Sequence, residues 1–140
     1  MMMKILKWKY TLKTMSSKIF MKKNILIIDD DDDLRSMLEE QLSFVPGIHI
    51  FEAKNGISGM DILSQSKVDL LMTDLLMPHQ DGIDTILEVK KMYPRMKIIA
   101  ISGSQDGLNK AKVFGADKVF SKPFDVEEIE LVVKKMLDLK

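Results

Sequence analysis

A run of nine residues near the start of the chain joins an apolar segment directly to a cluster of acids. Residues 25–28 are Ile-Leu-Ile-Ile, and five aspartates follow without a break at 29–33. Four branched apolar residues in a row are typical of a strand that is buried on both faces. Five adjacent carboxylates repel one another, and packing gives no reason for them, whereas a divalent cation would offset the repulsion. The run therefore predicts a metal site at the carboxyl end of a central strand.

Strand and helix patterns alternate along the chain after this run. Asn55-Gly56, Pro94 and Gly115 mark turns or helix ends between them. Apolar helix positions, including Met37 and Leu87, are expected to face the core. Strands are predicted at 24–28, 48–53, 68–73, 97–101 and 118–121, with helices from Asp32 or Asp33 to 45, from 56 through 63, from 83 to 93, at 107–114 and from 125 to 137. Five such units with short loops predict a parallel sheet with helices on both faces.

Composition and charge exclude several classes of protein. The chain has no cysteine, which excludes disulfides, thiolate metal sites and cysteine nucleophiles. No apolar run approaches the roughly 18 residues of a membrane span. Residues 1–23 contain seven lysines and no acid. The rest of the chain contains the other 14 of the 21 basic residues and all 21 acids. A domain with this excess of acids is not expected to bind nucleic acid through bulk charge.

The length predicts one domain, which we place at residues 22–140 after a basic N-terminal extension, residues 1–21. The extension is predicted to be disordered. Its apolar residues lie at helical spacing among the lysines, so a basic amphipathic segment that binds a membrane surface or an acidic partner is the alternative. The last predicted helix ends close to residue 140, which leads us to expect a stand-alone domain without a DNA-binding module.

Polar side chains follow four of the predicted strands at the edge where sites form in parallel sheets. Asp29 and Asp30 follow strand one, Asp74 strand three, Ser102 strand four and Lys122 strand five. Three carboxylates with a backbone oxygen suit Mg²⁺, or Mn²⁺ in its place. A lysine and a hydroxyl can both hold a phosphoryl oxygen. A carboxylate, a cation and a lysine suffice for transfer of a phosphoryl group to an aspartate, and Asp74 is the natural acceptor because it stands alone.

With these residues in place, the chain resembles a response-regulator receiver domain of bacterial two-component signalling, of the stand-alone kind that regulates chemotaxis. Four segments carry the resemblance: 25–30, the stretch from Asp69 to Gly82, 98–103, and Gly115-Ala-Asp-Lys-Val-Phe-Ser-Lys-Pro-Phe124. The resemblance covers residues 22 to 140. It implies a flavodoxin-like α/β fold, a doubly wound five-stranded parallel sheet in the order 2-1-3-4-5.

The resemblance also implies a role for each site residue. Asp74 matches the phosphorylated aspartate, Asp30 the direct metal ligand and Asp29 its water-mediated partner, while the backbone carbonyl of Leu76 matches a further metal ligand. Ser102 matches the switch hydroxyl, Lys122 the phosphate-pairing lysine, and Pro123 the proline joined to it by a cis bond. Asp81-Gly82 matches the turn into the third helix.

The function implied is that of a cytoplasmic phosphoacceptor rather than an enzyme, assisting only its own phosphorylation and dephosphorylation. The phosphoryl group would come from a sensor histidine kinase or a phosphotransfer protein, with Mg²⁺ bound. The output would be a change in partner binding at the face of helix four, strand five and helix five, about residues 107–140. The resemblance also allows a phosphorylation-dependent dimer, and neither direct DNA binding nor a membrane span is expected.

Two positions depart from the family pattern. Val119 occupies the place of the aromatic switch, and it has no ring that could move inward. Its neighbour Phe120 is expected to face the other side of the strand. Leu76 stands two residues after the acceptor, where an apolar side chain could screen the acyl phosphate from water. We therefore expect slow self-dephosphorylation.

Three other functions fit parts of the pattern. A pseudo-receiver or scaffold would bind partners without phosphorylation, although the complete site set speaks against it. A Mg²⁺-dependent phosphatase of the haloacid dehalogenase type normally has a second aspartate where Leu76 stands. A flavodoxin needs a phosphate loop rich in hydroxyls and glycine instead of the aspartates. Asp31–Asp33 are interpreted as a solvated helix start. His79 is interpreted as a solvated loop histidine, because a catalytic role would need a partner within reach, and His49 is assigned no role.

Overall fold

The computed structural model describes residues 22–77 and 82–139. The predictions for the extension 1–21, for His79 and for the Asp81 half of the turn lie outside these residues. The strands are β1 Lys23–Ile28, β2 Ile48–Ala53, β3 Leu70–Asp74, β4 Lys97–Ser102 and β5 Lys118–Ser121, and the helices are α1 Asp32–Ser43, α2 Gly56–Gln65, α3 Gly82–Met92, α4 Gln105–Phe114 and α5 Val126–Met136. Among the described helices, none combines the length and apolarity that crossing a bilayer requires.

The five strands form one parallel sheet in the order β2-β1-β3-β4-β5, which confirms the predicted fold. The register aligns the strand ends. Ile28 pairs with Thr73, Asp74 with Ile101, and Ser102 with Ser121. Because the strands run in the same direction, the residues that follow β1, β3, β4 and β5 lie along a single edge of the sheet.

Helices cover both faces of the sheet, as alternating strand side chains require. Ile25 and Ile27 of β1 face a core layer with α1 and α5, and Leu26 and Ile28 face a second layer with α2, α3 and α4. Phe120 belongs to the first layer, while Val119 packs against the second, so the expectation that they face opposite sides is confirmed. Burial of both faces explains why residues 25–28 of β1 are all apolar.

Several local predictions differ from the structure. Asp31 caps α1, because its side chain accepts hydrogen bonds from the N–H groups of Asp33 and Leu34, and the predicted caps Asp32 and Asp33 lie in the first turn. Ser104 caps α4, which therefore begins two residues before the predicted start. Met37 and Leu87 are exposed rather than core-facing, because the buried positions of their helices, such as Leu38 on α1 and Ile86 on α3, lie on a different side of each helix.

Gly82, at the start of α3, is packed against the end of β3, and we expect that even one added methyl group disrupts this contact. A Cβ atom there would collide with the backbone carbonyl oxygen of Asp74 and lie 2.7 Å from the Cα atom of Leu75. Neither backbone atom can move without shifting the strand. Gly82→Ala should lower the free energy of unfolding by about 2 kcal/mol, as overpacking typically does, measured by urea denaturation.

Gly103 provides the matched control for this substitution, because a Cβ atom there would meet no heavy atom within 4 Å. Gly103→Ala should leave the free energy of unfolding within about 0.5 kcal/mol of the wild type, as surface changes usually do. Equal losses in the two variants would contradict the proposed packing of Gly82 on β3.

Candidate functional site

Three carboxylates converge at the carboxyl edge of the sheet. One oxygen atom from each of Asp29, Asp30 and Asp74 lies within 4.8 Å of the others. Asp29 and Asp74 are almost fully buried, with 2% and 5% of their surfaces exposed, while Asp30 is exposed. A set of three hard oxygen donors, open to solvent on the side of Asp30, has the chemistry that Mg²⁺ prefers. These residues therefore fit the predicted cation.

Lys122 brings a positive charge to the two buried carboxylates. Its Nζ atom lies 3.3 Å from Oδ1 of Asp74 and 3.6 Å from Oδ2 of Asp29. Its backbone N–H donates to the carbonyl of Ser102 at 2.9 Å, which ties the end of β5 to the end of β4. The peptide bond from Lys122 to Pro123 is cis, as the resemblance implied. Lys122 is thus held at the edge where Asp74 is buried.

Burial raises the pKa of both Asp29 and Asp74 above the ordinary value, because it penalises the ionised form. For Asp29, the N–H of Asp31, which donates to Oδ1 at 2.9 Å, lowers the pKa, and the nearby charge of Asp74 raises it again. For Asp74, the Lys122 ammonium opposes burial most strongly, followed by the N–H groups of Leu76 and Leu75. The folded protein therefore carries these two negative charges at a cost.

Neutralising one of the buried acids should stabilise the metal-free protein. We expect Asp29→Asn to raise the free energy of unfolding at pH 7 by on the order of 1 kcal/mol, a typical size for a single substitution. The amide oxygen can still accept from the Asp31 N–H, while the repulsion from Asp74 is removed. Urea denaturation in the presence of a chelator measures the change.

The pH dependence of this gain follows from the raised pKa of Asp29. The unfolded chain ionises near 3.8 and the folded protein at a higher pH, so the wild type loses stability as the pH rises through that window. The advantage of Asp29→Asn should therefore shrink as the pH falls from 7 towards 3.8. Asp33→Asn, at an exposed acid of the same run, is the control, and an equal gain there would show a general effect of net charge.

Ser102 is the last residue of β4 and is completely buried. Its hydroxyl oxygen accepts a hydrogen bond from the N–H of Ser104 at 3.1 Å, at the start of α4. A Cβ atom at Gly107 would lie 3.6 Å from that oxygen, so the serine sits against the first turn of the helix. A change in the Ser102 side chain is thus coupled directly to the start of α4.

Leu76 follows Asp74 by two residues, and its side chain is 65% exposed. Its N–H group lies close enough to lower the pKa of Asp74. The structure therefore places the Leu76 backbone beside Asp74 and leaves the side chain at the surface. His49 is exposed on β2 and makes an edge-to-face contact with Phe51, with ring centroids 4.7 Å apart.

Arg35 was missed by sequence reasoning, although it lies on α1 next to the site. It is 9% exposed, and its Nη1 donates to the backbone carbonyl of Asp29 at 2.7 Å. The same guanidinium pairs with Asp32 at 2.6 Å and with Glu52 of β2 at 3.2 Å. The spacing of three residues between Asp32 and Arg35 was a signal for a pair on one helix face, but nothing in the sequence indicated the contact with Asp29.

Comparison with known families gives a direct match. The model of the response regulator receiver domain matches residues 25–134. Sporulation initiation phosphotransferase F of Bacillus subtilis is 35% identical over 122 residues, which cover 86% of this chain and 98% of the relative. The chemotaxis protein CheY of Halobacterium salinarum is 31% identical over 119 residues, covering 84% and 98%.

Solved structures agree with these relatives. A CheY-like response regulator receiver domain protein from Methanospirillum hungatei has a TM-score of 0.78 and 26% identity, covering 84% of this chain and 94% of its own. The response regulator TrrA of Thermotoga maritima, solved in complex with Mg²⁺ and BeF, has a TM-score of 0.74 and 29% identity, covering 81% and 98%. The likeness thus includes the fold and extends over nearly the whole length of these two proteins.

Proposed function

This chain belongs to the response regulator receiver domain family, and from that membership we propose that it works as a phosphorylated switch. Receiver domains are signalling proteins that are phosphorylated on aspartate. In our proposal Asp74 accepts the phosphoryl group from a sensor histidine kinase or a phosphotransfer protein, with Mg²⁺ bound, or Mn²⁺ in its place. The supporting observation is that Asp74 is buried beside two further carboxylates and Lys122.

The chain's own groups supply most of what phosphoryl transfer requires, which is positioning and neutralisation of charge. A carboxylate oxygen of Asp74 forms the new bond to phosphorus while the bond from phosphorus to the donor breaks. Asp29, Asp30 and Asp74, with the carbonyl of Leu76, would hold the cation, which neutralises phosphoryl oxygens when bound. Lys122 already lies 3.3 Å from Asp74, so it can pair with a phosphoryl oxygen after a small movement.

The signal would leave the site through Ser102 and Lys122. In the phosphorylated state, the Ser102 hydroxyl and the Lys122 ammonium bind phosphoryl oxygens, and these contacts favour one of two arrangements of the domain. Ser102 is already bonded to the start of α4. We propose that a downstream protein reads the change on the face of α4, β5 and α5, in the cytoplasm, and that a phosphorylation-dependent dimer would use the same face.

Intact mass spectrometry tests the proposal. The protein is incubated with acetyl phosphate, with Mg²⁺ or with a chelator, and then with a phosphorylated histidine phosphotransfer protein as a second donor. A Mg²⁺-dependent gain of about 80 Da, one phosphoryl group of the kind such sites transfer, is the expected result. No gain from either donor would favour the scaffold alternative, and catalytic turnover of small phosphate esters would favour the phosphatase.

Leu76 should make the phosphorylated form long-lived, with a half-life of minutes or longer after the donor is removed. Its exposed side chain has no group that could orient an attacking water molecule. Leu76→Asn introduces such a group and should shorten the half-life by about tenfold, which is less than the effect of about 10²- to 10⁴-fold for a positioned acid–base group, because an amide only orients the water. Mass spectra taken over time follow the loss of the phosphoryl group.

Leu76→Ala separates the two effects of that substitution, because it removes the apolar bulk without adding a polar group. A half-life close to that of Leu76→Asn would show that screening from water dominates. A wild-type half-life of seconds would contradict the prediction altogether.

A further inference from the structure

The guanidinium of Arg35 joins three separate elements next to the site. Its Nη1 donates to the carbonyl oxygen of Asp29 at the end of β1, its Nη2 contacts Asp32 in the first turn of α1, and its Nε contacts Glu52 on β2. The planar fork of an arginine can make these bonds together with little loss of freedom for each. With 9% of its surface exposed, the side chain is fixed by packing as well as by its partners.

The bond to the Asp29 carbonyl is the one that matters for the site. That oxygen belongs to the peptide unit that links Asp29 to Asp30, and a peptide unit is planar and rigid. The N–H of Asp29 donates to the carbonyl of Ala53 at 3.1 Å, so the chain is also held on the other side of Asp29. Because hydrogen bonds hold the backbone on both sides of Asp29, the direction in which the Asp30 side chain leaves the backbone is largely fixed.

We propose that Arg35 is a positioning residue, which holds the Asp29–Asp30 peptide so that the two carboxylates point together at the cation. This inference rests on the proposed function, since it concerns the same cation site. Arg35 touches none of the three carboxylate groups and acts through the backbone. A residue that orients metal ligands in this way typically contributes 10- to 100-fold to metal affinity.

The effect of Arg35 on the site is geometric rather than a matter of charge. Its guanidinium already pairs with Asp32 and Glu52, neither of which belongs to the three-carboxylate cluster. A lysine at this position would keep the positive charge, but it has a single ammonium group and lacks the planar fork. Arg35→Lys is therefore the decisive variant, and Arg35→Gln removes the charge as well.

Binding of Mn²⁺ is measured by electron paramagnetic resonance of the free ion, on the full chain without any phosphodonor. Both Arg35→Lys and Arg35→Gln should bind Mn²⁺ about tenfold more weakly than the wild type, within the range for groups that orient ligands. Lys134→Gln, which removes a positive charge from the pair with Glu130 on α5, should bind as the wild type does. Saturating Mg²⁺ should restore phosphorylation of Arg35→Lys by acetyl phosphate, because the groups around Asp74 are unchanged.

A merely structural role would lower thermal stability without changing the affinity of the folded protein, so binding is compared at a temperature where circular dichroism shows every variant folded. If Arg35→Gln does not fold, Glu52→Gln replaces it, since that variant removes one anchor of the guanidinium and should weaken binding two- to threefold. Affinities within twofold of the wild type for Arg35→Lys would overturn the inference. A wild type that binds no Mn²⁺ and gains no phosphoryl group would instead overturn the proposed function.

Discussion

Replacing Asp74 with asparagine should abolish Mg²⁺-dependent phosphorylation by every donor. The amide is close to the carboxylate in shape, so the packing at the end of β3 should be retained. It lacks the anionic oxygen that forms the bond to phosphorus. Among the described residues, the other buried carboxylate of the cluster is Asp29, which lies farther from the Lys122 ammonium, at 3.6 Å rather than 3.3 Å. Intact mass after incubation with acetyl phosphate and Mg²⁺ should show the unmodified chain only.

Asp33→Asn is the control for this loss, because Asp33 is an exposed acid of the same sequence run that follows β1 but lies outside the three-carboxylate cluster. It should be phosphorylated as the wild type is. A mass gain that persists in Asp74→Asn would move the acceptor elsewhere, and peptide mapping would then locate it. Loss in both variants would point to net charge rather than to a specific acceptor.

Lys122→Met should slow phosphorylation by about 100-fold at saturating Mg²⁺. Removing one preorganised group that stabilises charge in a transition state typically costs a factor of 10² to 10³. Methionine is unbranched and similar in length, so it preserves most of the packing while the ammonium is lost. The rate of mass gain, measured at several Mg²⁺ concentrations, separates slow transfer from weak metal binding.

Lys110→Met provides the matched control, because it removes an exposed ammonium that pairs with Asp106 on α4, outside the site. Its rate of phosphorylation should equal that of the wild type. If Lys122→Met reached the wild-type rate at high Mg²⁺, the lysine would serve only to offset the repulsion of the acids before the cation binds, and its role in transfer would be refuted.

The fold was predictable because its three central strands, β1, β3 and β4, carry runs of residues that are buried on both faces. Apolar runs such as 25–28 have that origin, and the sheet core confirms it. The clustering of the site residues was predictable as well, since parallel strands place their carboxyl ends at one edge of the sheet. These residues are Asp29, Asp30, Asp74 and Lys122. The strand order itself came with the resemblance, because alternation of strands and helices does not specify which strand lies beside which.

The structural features that the sequence did not predict depend on packing between helices and strands. The capping of α1 by Asp31 could not be separated from capping by its neighbours, since any aspartate in that run has the right chemistry. The exposure of Met37 and Leu87 depends on which arc of each helix meets the sheet. Arg35 reaches Glu52 and Asp29 across three elements, a contact that local spacing cannot reveal.

The ion pair between Lys122 and Asp29 has a consequence for how the protein is made. Asp29 directly follows β1 and Lys122 directly follows β5, which is one of the two edge strands of the described sheet and pairs there with β4. Contacts of such long separation form only after the intervening chain has been ordered. A nascent chain that has been synthesised only as far as β4 contains the three acids but not Lys122. The complete site should therefore form once β5 has been added, rather than gradually during synthesis.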